Sequence, residues 1–174
     1  MPNKKPLTNV TFTKRLDHQA GRHRGPRAPD EPQVCSTCGS VYLNRRWTAP
    51  EATSGNGKRR QHRQAAEVTV CPACKQQRAG VPQGFVYVYG DFFATHCDEI
   101  EQLLRNEAAR AAEDNPLARI MEWERPDIDT LVLATTTEHL AKRLGQSLEK
   151  AFCGKVHYDF SHENKLARVR WHRD

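Results

Sequence analysis

Four cysteines in two pairs are the residues of this sequence whose type and spacing point most directly to chemistry. The first pair is Cys35 and Cys38, followed by Gly39, and the second pair is Cys71 and Cys74. Two residues between cysteines allow one tight turn to aim both sulfurs at a single point, and two such turns supply four thiolates. The pattern therefore predicts one structural Zn²⁺ ion held by these four cysteines in a closed tetrahedral site.

Two other uses of paired cysteines stay open at the level of sequence. Disulfides belong to oxidising compartments and small secreted domains, whereas we find no signal peptide pattern here and expect a reducing, cytoplasmic environment. A redox pair normally follows an apolar strand in a β-α-β pattern, and neither pair is placed in that way. Zinc is favoured over both. Because four thiolates leave no open coordination position, we expect no enzymatic activity and no small-molecule substrate.

The charge is distributed unevenly along the chain. Residues 1–80 carry 15 Lys and Arg against 5 Asp and Glu, whereas residues 81–174 carry 12 against 16. A basic half that also bears the cysteines suggests a polyanionic partner for that half. No apolar run approaches the roughly 20 residues that a membrane helix needs, so we expect no membrane partner.

The candidate RNA contacts lie between the two cysteine pairs. They combine cationic side chains, which suit phosphate oxygens, with one indole that can stack on an unpaired base: Arg45, Arg46, Trp47, Lys58, Arg59, Arg60 and Arg63. We expect a mobile basic loop whose two ends the metal holds. The alternatives are a loop that is merely solvated and a Trp47 that only covers the zinc site.

The elements that must position these residues follow from the apolar pattern. Alternation at residues 41–47 and 67–70 predicts short strands beside the cysteines, which gives a module like a zinc ribbon or a treble clef. Residues 85–89 are the most strand-like run of the chain. A helix capped by Thr95 is predicted next, and then a second short helix that contains Ile120 and Met121 and ends before Pro126.

The C-terminal part predicts a β-α-β-β unit. Residues 130–136 form an apolar strand, Thr137 leads into a helix with core positions from 140 to 151, and Gly154 ends that helix. Alternating residues at 155–160 and 167–171 then form a hairpin. Arg168 and Arg170, with Lys165, are expected on one exposed face of it.

These elements predict an α+β fold in three parts. Residues 1–33 contain five prolines, few apolar side chains and an excess of basic ones, so we expect a disordered basic tail. Residues 34–80 form the four-cysteine zinc module with its basic insert loop. Residues 81–174 form an α+β domain that includes the β-α-β-β unit.

The order of these parts resembles a known family. The two cysteine pairs, the helical stretch and the passage Leu-Val-Leu-Ala-Thr-Thr-Thr-Glu-His-Leu-Ala-Lys-Arg-Leu at 131–144, with its hairpin, are similar to the amino-terminal region of the large-subunit export adaptors named for nonsense-mediated decay. The resemblance is closer to small bacterial proteins described as affecting ribosome stability and mRNA decay. It covers about residues 33–172, and it implies zinc ligation by the four cysteines and association with a ribosomal subunit. The adaptors have two sets of four zinc-binding cysteines where this chain has one, so the resemblance does not imply a role in nuclear export.

The sequence thus predicts a zinc-stabilised, ribosome-associated or rRNA-associated protein that influences ribosome stability or assembly. The alternative is an adaptor that binds another protein and whose zinc site is purely structural.

Overall fold

The computed structural model describes residues 32–50, 66–161 and 166–174. These residues contain two β-sheets and four helices, which confirms the predicted α+β class. The described residues belong to one compact unit. The predicted disordered tail lies outside the described residues except for its last two positions, of which Gln33 is buried and begins the first strand.

The first sheet is small and surrounds the cysteine pairs. Its strands have three residues each: β1 (Gln33–Cys35), β2 (Val41–Leu43), β3 (Arg46–Thr48) and β4 (Glu67–Thr69). Their order is β3-β2-β1-β4, with β1 and β4 parallel and the other pairs antiparallel. The expected strand at 41–47 is therefore two strands, because Asn44 and Arg45 both have positive φ, 52° and 59°, and form a tight hairpin turn.

The helix α1 (Pro72–Ala79) completes this first part of the fold. Proline at its first position suits the fixed φ of a helix start, and Gly80, with φ of 62°, ends it in the left-handed conformation. We call β1–β4 and α1 the cysteine module.

The second sheet has five strands in the order β6-β7-β5-β9-β8. These are β5 (Gly84–Tyr89), β6 (Ile120–Asp127), β7 (Thr130–Thr135), β8 (Lys155–Ser161) and β9 (Leu166–His172). The helices between them are α2 (Asp91–Thr95), α3 (Cys97–Asp114) and α4 (Glu138–Phe152). We call these elements the five-stranded module. Its strands β5 and β9 are parallel, and its other neighbouring strands are antiparallel.

One face of the second sheet carries the main core. Alternate residues of the strands, such as Val86, Leu133 and Trp171, are fully buried there against residues of all three helices. Strands alternate their side chains between two faces, so the other residues of β5, β7 and β9 lie on the opposite face. We call the helix-covered side the inner face and the opposite side the outer face.

The predicted β-α-β-β unit is confirmed as β7, α4, β8 and β9. The helix α4 begins after Thr137, as predicted, and the Thr137 hydroxyl caps it by accepting a hydrogen bond from the Leu140 amide at 3.2 Å. Gly154, with φ of 85°, follows the helix end. Ala151, expected at a core position, is exposed.

Two predicted helix features are wrong. The second short helix does not form, because Ile120 and Trp123 belong to β6, which pairs with β7 and packs both side chains against the core. Pro126 is tolerated there since β6 is an edge strand. Thr95 does not cap α3 either; it ends α2, and its hydroxyl donates to backbone carbonyls of that helix.

Within the described residues, no helix combines the length and the apolar character that crossing a membrane requires.

Candidate metal centre

The four predicted cysteines converge on one point. The ligand atoms of Cys35, Cys38, Cys71 and Cys74 all lie within 4.8 Å of one another, and the sulfurs of Cys38 and Cys71 are 3.7 Å apart. A tetrahedral zinc with Zn–S bonds of about 2.3 Å places its sulfurs about 3.8 Å apart. The donor set and its spacing therefore fit a tetrahedral thiolate site. All six cysteines of the chain are described, and none forms a disulfide.

The first pair is positioned by a turn that leaves the small sheet. Cys35 ends β1, and Gly39 takes a φ of 73°, which a residue with a Cβ rarely adopts. The Gly39 amide donates to the Cys35 carbonyl at 2.9 Å, and the Cys35 amide donates to the Ser40 carbonyl at 2.8 Å. These bonds close the turn and bring Cys38 back beside Cys35.

The second pair opens a helix. Cys71 is the N-cap residue of α1 and Cys74 lies in its first turn, so both sulfurs are held by the start of one rigid element. The Cys71 sulfur accepts a hydrogen bond from the Cys74 amide at 3.4 Å. The Cys71 amide donates to the Cys35 sulfur at 3.3 Å, which joins the two pairs. N–H groups aimed at sulfur favour the thiolate form that binds a metal.

Burial and hydrogen bonding act in opposite directions on the thiols. For Cys38, burial by itself raises the pKa, but hydrogen bonds with the Ser40 hydroxyl and the Arg119 guanidinium outweigh it and lower the pKa to about 6. For Cys71, burial dominates and raises the pKa. The Cys38 thiol, at the more accessible edge of the cluster, therefore loses its proton readily. The buried Cys71 thiol has more need of a bound cation to become a thiolate.

Arg119 contacts the cluster from the five-stranded module. Its Nη1 lies 3.6 Å from the Cys74 sulfur, and its Nε donates to the Pro116 carbonyl at 2.7 Å. Four thiolates and one Zn²⁺ carry a net charge of −2, so a cation beside them is favourable. The sequence analysis missed this residue, because it lies in a stretch read as helical and no local pattern connects it to cysteines 45 positions away.

Thr136 joins the two modules beside this arginine. Its hydroxyl donates to the Leu117 carbonyl at 2.6 Å and accepts from the Arg119 amide at 2.8 Å. Its carbonyl accepts from the Gln76 side chain of α1 at 2.9 Å. Leu117 itself packs against the cysteine cluster. The buried Thr136 is thus the point at which α1, the start of β6 and the end of β7 meet.

The predicted RNA contacts are only partly described. Arg45 and Arg46 are exposed at the tip of the β2–β3 hairpin, and Arg46 donates to the Asp114 carbonyl at 2.9 Å. Trp47 is half-buried, packs against the cysteine cluster and contacts the Tyr42 ring at 5.3 Å between centroids. This geometry favours the alternative that Trp47 covers the metal site. The remaining four predicted contacts lie outside the described residues: Lys58, Arg59, Arg60 and Arg63.

Comparison of the chain with protein-family models, curated proteins and solved structures found no match. The geometry of the site is therefore the basis for its chemistry.

Proposed function

We propose that the protein is a cytoplasmic, zinc-stabilised protein that binds ribosomal RNA or a ribosomal subunit. The observation that supports a structural metal is the four-sulfur cluster, in which every ligand lies within 4.8 Å of the others. Zinc bound there would fold the cysteine module and perform no hydrolysis, since a closed thiolate shell holds no activated water. Because the second cysteine pair opens a helix, the module is closer to a treble clef than to a ribbon.

The support for RNA binding is the charge carried by the same part of the chain. Arg45 and Arg46 are exposed at the end of a hairpin whose other end is next to the metal site. The sequence between the cysteine pairs adds four further cations from Lys58 to Arg63. A cationic surface anchored to a rigid metal site suits the phosphates of a folded RNA. By its resemblance to the ribosome-associated family, the chain would act on ribosome stability or assembly.

Co-sedimentation with purified ribosomes and their isolated subunits tests this proposal. We expect the Arg59→Glu and Arg60→Glu double variant to lose co-sedimentation, because two phosphate-binding charges become repulsive. The matched control is Lys142→Glu with Lys150→Glu, which makes the same change in net charge at exposed positions of α4. That control should sediment like the unmodified protein.

The salt dependence of the affinity gives a second measure. Six phosphate contacts predict a slope of about −4 to −5 in a plot of log affinity against log salt concentration. A nearly flat dependence would exclude phosphate-driven binding and favour the adaptor that binds another protein. Equal co-sedimentation of both double variants would place the ribosome contact away from the basic insert.

A further inference from the structure

The outer face of the five-stranded sheet carries a row of aromatic side chains. On β5 the buried Val86 and Val88 point to the inner core, so the intervening Phe85, Tyr87 and Tyr89 lie on the outer face. Phe85 and Tyr87 are half-buried, and Tyr89 is 36% exposed. Alternate residues of a strand repeat every 6 to 7 Å, so three ring positions follow one another over about 13 Å of the central strand.

The neighbouring strand places a basic residue beside each ring. The parallel register of β5 and β9 pairs Phe85 with Arg168, Tyr87 with Arg170 and Tyr89 with His172. The residues between them on β9, such as Val169, are buried in the inner core. The outer face therefore presents two adjacent rows, one aromatic and one basic, in step along the sheet.

The chemical character of the face differs between its two edges. Beyond the basic row, β8 adds Lys155 and His157, which pair with His172 and Arg170, and one carboxylate, Asp159, which pairs with Arg168. On the opposite side of the aromatic row, β7 contributes the small Ala134 and Val132, and the edge strand β6 contributes acidic side chains, Glu122 and Glu124. Near Arg170, a ligand on this face would meet cations on one side, flat rings in the middle and the carboxylates of β6 on the other, whereas Asp159 of β8 offsets the charge of Arg168 further along the sheet.

A groove lies at one end of the same face. It has a volume of about 520 Å³ and is lined by Tyr87, Tyr89, Arg170 and His172 together with three carboxylates, Asp91, Asp129 and Asp174. Asp174 already contacts His172, with its Oδ1 2.9 Å from the His172 Nε2. The His172 ring lies 4.9 Å from the Tyr89 ring between centroids. Rings, a guanidinium and a carboxylate in one concave site match the three parts of a nucleotide, namely a base with a stacking face, a phosphate and exocyclic amino donors.

We propose that this outer face binds unpaired bases of single-stranded RNA. Tyr87 and Tyr89 stack on successive bases, Arg170 contacts the phosphate between them, and Asp129 accepts a hydrogen bond from a base amino group. Aromatic rings bind every base through its π-face, and cations alongside follow the backbone. Arg168 contributes less than Arg170, since its Nη1 already lies 4.0 Å from the carboxylate of Asp159.

The charge gradient across the sheet distinguishes RNA from a peptide partner. A phosphate backbone has to run along the basic strands β9 and β8, which leaves its bases to point over β5 and β7 towards the acidic edge. In this arrangement the phosphates lie away from Glu122 and Glu124 of the acidic edge strand, and base amino groups point towards those carboxylates. The face is a different surface from the cysteine module, so the proposal does not depend on the basic insert.

The test uses the full chain and a labelled, unstructured RNA of about eight nucleotides containing adenine and cytosine. We expect Tyr87→Leu to weaken binding about tenfold, because leucine keeps apolar area but has no π-face, whereas Tyr87→Phe should bind like the unmodified protein. Arg170→Gln should also weaken binding about tenfold, through loss of a phosphate contact. Thermal melting of each variant checks that the fold is intact.

Matched controls separate the face from general changes in the molecule. Phe160→Leu removes an exposed ring at an inner-face position of β8, and Lys142→Gln removes an exposed charge on α4. Both should leave the affinity unchanged. A hairpin duplex with the same number of phosphates should bind more weakly than the single strand, since its bases cannot reach the rings.

Three outcomes would overturn the proposal: no binding of the single strand by the full chain, equal affinity of Tyr87→Leu and the unmodified protein, or equal affinity for single strand and duplex. The result is independent of the ribosome experiment, because Arg59 and Arg60 are unchanged in the sheet-face variants. If the short RNA did not bind but the protein still sedimented with ribosomes through the basic insert, only the sheet-face site would be ruled out. If the short RNA bound through the sheet face but the Arg59 and Arg60 variant sedimented normally, only the basic-insert site would be ruled out.

Discussion

The two modules of this protein are stabilised internally by different interactions. The five-stranded module has a single cluster of sixteen buried hydrophobic residues that joins strands of up to eight residues to three helices. The cysteine module has strands of three residues, and its buried cluster consists of three cysteines and one alanine. Burial of apolar area can fold the first module. In the second, the sulfurs occupy the place where a core would be.

The two modules therefore differ in what offsets the loss of chain entropy on folding. Ordering each residue costs about 1 to 2 kcal/mol in chain entropy, and a cluster of four small residues returns little of that by leaving water. A structural zinc contributes on the order of 10 kcal/mol or more. The fold of the cysteine module should therefore depend on metal, whereas that of the five-stranded module should not.

Removal of the metal is the change with the largest expected effect. Cys71→Ser deletes the most buried ligand, and we expect it to abolish zinc binding and to unfold the cysteine module, because the remaining core cannot offset the chain entropy. Hydrogen exchange should show loss of protection in β1, β2 and α1 and continued protection in β7 and α4. The metal content is measured on the same samples.

Cys153→Ser is the control for this experiment, because that cysteine is exposed and outside the cluster. It should keep one zinc per chain and full protection. If Cys71→Ser removed protection from β7 and α4 as strongly as from β1, the two modules would share one folding unit and the contrast between them would be lost.

A core substitution tests the other side of the comparison. Leu144 is fully buried in α4, and Leu144→Ala should lower the free energy of unfolding by about 3 kcal/mol, through lost burial and the cavity left behind. Urea denaturation measures this loss. Lys142→Ala on the same helix is exposed and should change stability by less than about 0.5 kcal/mol. The folded Leu144→Ala protein should still bind one zinc, and zinc loss from it would contradict separate stabilisation.

Much of this fold was accessible from the sequence because local patterns determine it. The cysteine spacing identified all four members of the sulfur cluster, and the alternation of residues 155–160 and 167–171 predicted the last hairpin. The start of α4 after Thr137 was predicted as well, and the hydrogen bond that caps this helix joins residues only three positions apart. Each of these features is encoded within a few residues.

The features that escaped prediction depend on distant partners. Residues 120–127 form a strand because β7 offers them a free edge to pair with, whereas their own sequence also suits a short helix. The contact of Arg119 with Cys74 exists only once β6 has docked beside α1. Likewise, the match of aromatic and basic rows requires the register of β5 and β9, which are far apart in the chain and have no direct connection.

Substitution of the arginine beside the sulfur cluster should have a moderate effect. Arg119→Gln removes the cation that lies 3.6 Å from the Cys74 sulfur, and loss of such an outer partner typically weakens metal binding by about 10-fold to 100-fold. We expect zinc to transfer to a chelator about tenfold faster, with the unfolding of the five-stranded module unchanged. Arg119→Lys keeps the charge and should recover part of the effect. Transfer at the original rate in Arg119→Gln would show that the metal site is independent of the five-stranded module.

The smallest effect is expected at an exposed contact between the modules. Arg46 donates to the Asp114 carbonyl at 2.9 Å, but both residues are exposed, so water replaces the bond when the side chain is shortened. Arg46→Gln should therefore change stability by less than about 0.5 kcal/mol and leave the rate of zinc transfer unaltered. Stability and the rate of zinc transfer are measured as for Arg119→Gln, so that the two variants can be compared directly. If Arg46→Gln accelerated zinc loss as much as Arg119→Gln does, the hairpin tip would support the metal site as strongly as the buried side of the junction does.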